Sequence, residues 1–167
     1  MATITLITKI NAPIERTFDL TRSVDFHCES AKEAKETVVD GRKTGLLEKG
    51  DTVTWNSAHF GTRYSLGVKV TEFERPYRFR DVMVQGEFAT FDHLRTFEWD
   101  EEKKQTILTD VLEYSTPYGA LGRLAESLFL STYLRKCIRE RNNALKKVAE
   151  SQSNDWQKYL PDALLQD

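Results

Sequence analysis

Cysteine is nearly absent. Cys28 and Cys137 are the only two, and they lie in no metal or redox spacing, so two reduced thiols are expected and not a disulfide framework. No apolar run approaches the ~20 residues of a membrane-spanning helix, which excludes stable membrane insertion by a helix. Neither charge sign dominates. A formal net charge of -2 gives no support for a nucleic-acid partner. Residues 1–9 alternate in polarity and lack the basic-then-apolar order of a secretory leader, so a cytoplasmic location is expected. Glycine is sparse: Gly119 and Gly122 lack both the Gly-rich spacing and the Lys-Ser/Thr ending of a phosphate loop, and a turn or gate is the reading left for them. There is no internal repeat, low-complexity tract or interdomain linker. One domain over residues 1–150, followed by a tail over 151–167, is the expected organisation.

The strongest pattern present is helical. From Pro117 to Glu150, Leu121, Leu124, Leu128, Leu134, Ile138, Leu145 and Val148 recur at steps near three and four, as one apolar stripe requires. Arg135, Lys136, Arg139, Glu140, Lys146 and Lys147 fall opposite. The earlier chain reads mainly as strands. Thr3–Ile10 alternates and is rich in β-branched residues. Further strands are expected over Glu36–Lys43, Thr52–Phe60, Arg63–Phe73, Tyr77–Val84, Phe88–Trp99 and Gln105–Tyr114. Asn11 and Pro13 mark a helix start, with Ile14–Leu20 as a short helix. A second short helix is expected around Ala31–Glu36, while Ser23, Asp25 and Ser30 suit caps or turns. Seven strands joined largely by short turns form an antiparallel sheet most simply, and the long helix covers one side of it. The fold class is therefore α+β.

The order and spacing of several segments carry a resemblance. They are the opening strand with Asn11–Ala12–Pro13, then Val53–Thr54–Trp55 and His59–Phe60–Gly61. Val70–Thr71–Glu72–Phe73 with Pro76 follows, then Phe79–Arg80–Asp81 and Met83–Val84–Gln85–Gly86. Phe91, His93, Phe97, Leu108–Thr109–Asp110, Glu113–Tyr114, Pro117, Gly119, Leu121–Gly122 and Arg141 complete it. From Ile4 to Val148 the chain resembles the START-like group that includes birch-pollen-allergen-like and polyketide cyclase/dehydrase-like proteins. It looks most like the small bacterial ligand-binding branch. The resemblance implies a helix-grip fold: a curved seven-strand antiparallel sheet around a long C-terminal helix, with two short helices after strand 1. It also implies a cavity for lipids, sterols, aromatic polyketides or hormones, and it transfers no universal catalytic set.

Three polar residues stand out in the strands. His93 and Arg95 share a face, and a turn near Glu102–Lys103 brings Asp110 close to Arg95 in register. They read either as a satisfied network that fixes strand pairing, as a polar anchor for a ligand, or as an acid/base group with His93 and Asp110 as weak catalytic candidates. His59 with His93 is a remote metal candidate without a compact ligand motif, so no metal and no cofactor are expected. Apolar wall candidates are Trp55, Tyr64, Leu66, Val68, Phe79 and Phe91, with Phe97 and Leu108 beside them. Leu112 and Tyr114 on the last strand and Leu121, Leu124, Leu128 and Phe129 on the helix complete the set. The expected function is binding of a hydrophobic or aromatic small molecule, lipid-like ligands included. The alternatives are a polyketide cyclase-like enzyme without a redox cofactor, and a non-enzymatic interaction or stress-response module. Trp156, Tyr159, Leu160, Leu164 and Leu165 give the tail an apolar cluster that docks on the domain, meets a second copy as a homodimer, or stays disordered.

Overall fold

Strict alternation governs the sheet. In β7 (Gln105–Ser115), Thr106, Leu108, Asp110, Leu112 and Tyr114 are all buried while the residues between them are half-buried, the period of two that a one-sided sheet imposes. The computed structural model describes residues 1–31, 36–59, 62–117 and 122–165, without the side chains of residues 59, 62 and 122–128. The other strands are β1 (Ala2–Ile10), β2 (Thr37–Gly41), β3 (Thr52–His59), β4 (Thr62–Glu74), β5 (Arg78–Gly86) and β6 (Thr90–Asp100). They form one curved, open antiparallel sheet in the order β1-β7-β6-β5-β4-β3-β2. Consecutive strands from β2 to β7 are neighbours, and only β1 pairs across the length of the chain, Ile4 opposite Leu112 and Thr8 opposite Leu108.

Two short helices follow β1. In α1 (Ile14–Thr21) the buried side chains are Ile14, Thr17, Phe18, Asp19 and Leu20. Pro13, not Asn11, occupies the N-cap. The Asn11 amide instead donates to the Glu150 carboxylate at 2.7 Å, tying the end of β1 to the end of the long helix. The second helix, α2, runs over Val24–Ser30, ahead of the Ala31–Glu36 span where the sequence reading expects one. The reason is local: Ser23 Oγ accepts the Phe26 amide at 3.2 Å, which satisfies a first-turn N–H, and Val24 and Phe26 bury their side chains. Residues 32–35 of the expected helix lie outside the described residues.

The long helix α3 spans Gly122–Ala149, starting later than the Pro117 of the sequence reading. Among its described side chains Ile138, Asn142, Leu145 and Ala149 are buried, at the i, i+4, i+7 and i+11 steps of one face. Three of its side chains reach the edge strand: Arg135 donates to the Thr5 carbonyl at 2.9 Å, Lys146 to the Lys9 carbonyl at 2.8 Å, and Asn142 to Thr8 Oγ1 at 3.0 Å. The tail docks. Two 3-10 turns (Asp155–Tyr159 and Asp162–Leu164) place Tyr159 edge-on to Phe26, 5.4 Å between ring centroids. Ser23 Oγ donates to the Tyr159 carbonyl, and Leu160 joins the main core.

Gly41 ends the short edge strand β2 at φ +78, a left-handed conformation that side chains other than glycine's resist. A Cβ there would meet the Thr52 carbonyl oxygen at 2.2 Å. Gly41→Ala is therefore expected to lower stability by about 1–3 kcal/mol and to increase amide exchange in β2. A variant with unchanged urea midpoint would show that this turn relaxes freely.

Candidate functional site

Three rows of inward side chains change from apolar to polar and back at the same level of the fold, and a fourth turns from apolar to polar there. On β7 the row is Leu108, Asp110, Leu112; on β6 it is Phe97, Arg95, His93, Phe91; β5 contributes Phe79 then Asp81, and α3 contributes Leu145, Asn142, Ile138. Leu108, Phe97, Phe79 and Leu145 belong to the main hydrophobic core. Leu112, Phe91 and Ile138 belong to a second, smaller cluster with Ile4 and Tyr114. A polar belt thus separates the two.

The belt is fully hydrogen-bonded, as buried polar groups must be. His93, Arg95 and Asp110 are 2%, 6% and 1% exposed. Arg95 pairs with Asp81 through Nη1 and donates to His93 Nδ1 at 2.9 Å. A guanidinium has no acceptor, so His93 Nδ1 must hold the lone pair, and the ring proton sits on Nε2. Nε2 then donates to Asp110 Oδ1 at 2.8 Å. Asn142 donates to Asp110 Oδ2 at 2.6 Å. Burial and the Arg95 charge both push the His93 pKa down, against the pull of Asp110. His93 is accordingly neutral, with both nitrogens engaged. For Asp81, burial pushes the carboxyl up, but the Arg95 charge and hydrogen bond outweigh it and hold it below its ordinary value. Asp110 is likewise held low, because the His93 and Asn142 bonds and the Arg95 charge overcome burial.

The expected Arg95–Asp110 proximity is present: the two are direct cross-strand neighbours, with Arg95 Nε 3.7 Å from Asp110 Oδ1. The shorter carboxylate contact of Arg95 is nevertheless Asp81, which sequence reasoning missed. Asp81 follows Phe79 at the strand period and pairs with His93 in register, so alternation carried through β5 would have found it.

A second assembly of the same kind lies in a region of weak sequence pattern. His27 on α2 stacks on Trp55 at 3.9 Å between centroids. Its Nε2 donates to Glu36 Oε2 at 2.6 Å, and its Nδ1 accepts from Arg141 of α3 at 3.3 Å. Burial dominates the His27 pKa and lowers it, in keeping with a neutral ring between a guanidinium and a carboxylate.

Between the sheet and α3 lies a cavity of ≈ 960 Å³. The sequence-predicted wall residues Trp55, Tyr64, Leu66, Val68, Phe79 and Phe91 line it, as do His93, Arg95 and Leu112. Tyr64 and Phe129 reach it from exposed positions, 39% and 62% accessible. Asp110 stands behind His93, and Tyr114, whose hydroxyl pairs with Ser131 Oγ at 2.6 Å, packs in the second cluster; neither is among the lining residues. Phe97 and Leu108 are core. Leu121 and Gly119 lie outside the described residues, as do the side chains of Leu124, Leu128 and His59. The helix wall that can be described consists of Phe129, Leu130, Tyr133, Leu134, Cys137, Ile138, Glu140 and Arg141. Leu130, Tyr133 and Arg141 as lining residues were not anticipated; Arg141 carries no apolar signal and its His27 contact spans 114 residues. Among the described residues no group of three or more His, Cys, Asp or Glu is placed to hold a metal ion. Among them, too, no helix is long and apolar enough to cross a membrane.

No family model and no curated relative matches the chain. Solved structures do. A START superfamily protein from Mycobacterium smegmatis aligns with a TM-score of 0.63 at 9% identity, over 89% of this chain and 97% of that one. Major latex-like protein 151 from Panax ginseng aligns with a TM-score of 0.61 at 12% identity, over 90% and 98%. Ara h 8.0201 aligns with a TM-score of 0.63 at 12% identity, over 87% and 95%. Likeness at these identities speaks to architecture, and the architecture that this chain shares with them is the helix-grip fold.

Proposed function

We propose that the protein binds a hydrophobic or aromatic small molecule in the cavity between the sheet and α3. The observation that carries this reading is the cavity itself, ≈ 960 Å³ between walls of Trp55, Leu66, Val68, Phe91, Leu112 and Leu134. Interiors are otherwise close-packed, and a space of this size, apolar with a few convergent polar groups, matches a small-molecule site. The polar belt supports the same reading, because it presents His93 and Arg95 to the cavity among apolar walls. A cyclase-like reaction led by His93 would need a ring nitrogen free to take a proton, and Arg95 occupies that nitrogen at 2.9 Å.

Native mass spectrometry of freshly purified protein is expected to show a noncovalent small molecule. Leu134→Trp adds bulk to the helix wall and is expected to reduce occupancy several-fold while the far-ultraviolet circular dichroism stays unchanged. Protein that carries no ligand and takes up none from a broad lipid and aromatic library would sink the proposal.

A further inference from the structure

Resting on the cavity-binding reading, we propose that the ligand is an amphipathic carboxylic acid whose carboxylate is held by Arg141, with its apolar body along the walls. Arg141 projects from α3 into the cavity and lines it beside Arg95, His27 and Trp55. Among the described residues its one hydrogen-bond partner is the neutral His27 Nδ1, at 3.3 Å, and no carboxylate lies within 4.0 Å of it. A guanidinium offers five N–H donors in a fixed fork. Most of those of Arg141 are therefore left to whatever occupies the cavity.

The nearby carboxylates are committed elsewhere. Asp81 is taken by Arg95, Asp110 by His93 and Asn142, and Glu36 by His27. Burial, followed by the Arg95 charge, lowers the Arg141 pKa, and the pulls of Asp110, Glu36 and Asp81 do not make up the difference. The cation is under-compensated where it stands. A half-buried charge of this kind is stabilised by an oxyanion that meets it with paired N–H···O bonds.

His27 explains why the fork is held for this purpose. Its ring is fixed by the Trp55 stack and the Glu36 bond, so Nδ1 serves as a rigid stop that orients the guanidinium without neutralising it. The same geometry makes a lysine a poor substitute, since an ammonium lacks the planar fork. A neutral apolar ligand would fill the walls and leave the Arg141 donors to solvent.

The test compares matched probes on the full chain: dodecanoate against dodecan-1-ol, and 2-naphthylacetate against 2-(2-naphthyl)ethanol. Affinities are read by titration calorimetry and by Trp fluorescence, with Trp55 in the cavity wall. The wild-type protein is expected to prefer at least one acid over its alcohol by about tenfold or more, the scale of a charge-assisted hydrogen bond. Arg141→Gln keeps an N–H donor for His27 and is expected to abolish that preference while alcohol affinity stays within about twofold. Arg141→Lys is expected to retain only part of it. Equal binding of acid and alcohol to the wild-type protein overturns the carboxylate assignment and leaves the cavity reading standing; so does a full acid preference in Arg141→Gln. If neither member of either pair binds, the carboxylate assignment falls, and the cavity reading falls with it only if native mass spectrometry and the broad library also show no ligand. Because the wild-type comparison decides on its own, a variant that fails to fold does not shelter the proposal.

Discussion

Asp110→Ala is expected to lower the unfolding free energy by about 3–5 kcal/mol, the combined scale of two buried charge-assisted hydrogen bonds. The carboxylate accepts from His93 Nε2 at 2.8 Å and from Asn142 Nδ2 at 2.6 Å. It therefore joins β7 to β6 and to α3, and through Asn142 and Thr8 it also reaches β1. Its removal strands the His93 N–H, frees one Asn142 donor and leaves Arg95 with Asp81 as its remaining carboxylate. Asp110→Asn is expected to fall between the two, because its amide offers one acceptor where the native group offers two oxygens. Urea unfolding followed by circular dichroism measures both. A loss below about 1 kcal/mol for the alanine variant would show that water or repacking replaces the carboxylate at low cost.

Stability is expected to fall steeply on mild acidification, and the two histidines set where. In the folded protein His27 and His93 both titrate below the ordinary histidine value of about 6.5, because burial disfavours the charged ring. Below about pH 6.5 the unfolded chain takes up protons that the native rings refuse. The contribution of each ring is therefore complete above that pH and is lost as pH falls towards the lowered native value. Each contributes a slope approaching ~1.4 kcal/mol per pH unit while the pH lies between its two values. Further down, Asp81 and Asp110, both held low in the native state, add a second loss below about pH 4 as the unfolded carboxylates protonate first. Unfolding free energies measured between pH 8 and pH 3 should show both descents. His27→Gln and His93→Gln should each flatten the upper one; a profile level from pH 7 to pH 5 in the wild-type protein would mean that the rings protonate in place.

How much of this was legible in the sequence depends on whether a pattern repeats. Alternation in β6 and β7 put His93, Arg95 and Asp110 on one face, and the charged turn around Glu102–Lys103 put Arg95 opposite Asp110, which is the observed register. The apolar periodicity of α3 likewise placed Ile138 and Leu145 inward. Asp81 was missed because the strand holding it was read without assigning its faces. The His27–Arg141 contact is of another kind. It joins a seven-residue helix too short to show a period to one position on a helix turn, 114 residues away, and no local rule links them. The helix at Val24–Ser30 was missed because Ser23 was read as a cap or turn former with no helix assigned after it. Legibility therefore ends where a contact depends on the distance between layers, which pattern within an element does not encode.

The pairing of β1 with β7 sets a constraint on how the molecule is made. Residues 2–10 find their strand partners only among residues 106–114, and the other edge of β1 is closed by Arg135 and Lys146 of the last helix. During synthesis from the N-terminus, the opening strand therefore waits unpaired until residues 106–114 have emerged, about a hundred residues later. Local hairpins from β2 to β7 can form before it, and closure of the longest loop comes late. That ordering makes β1 the segment most exposed to wrong partners while the protein is being made.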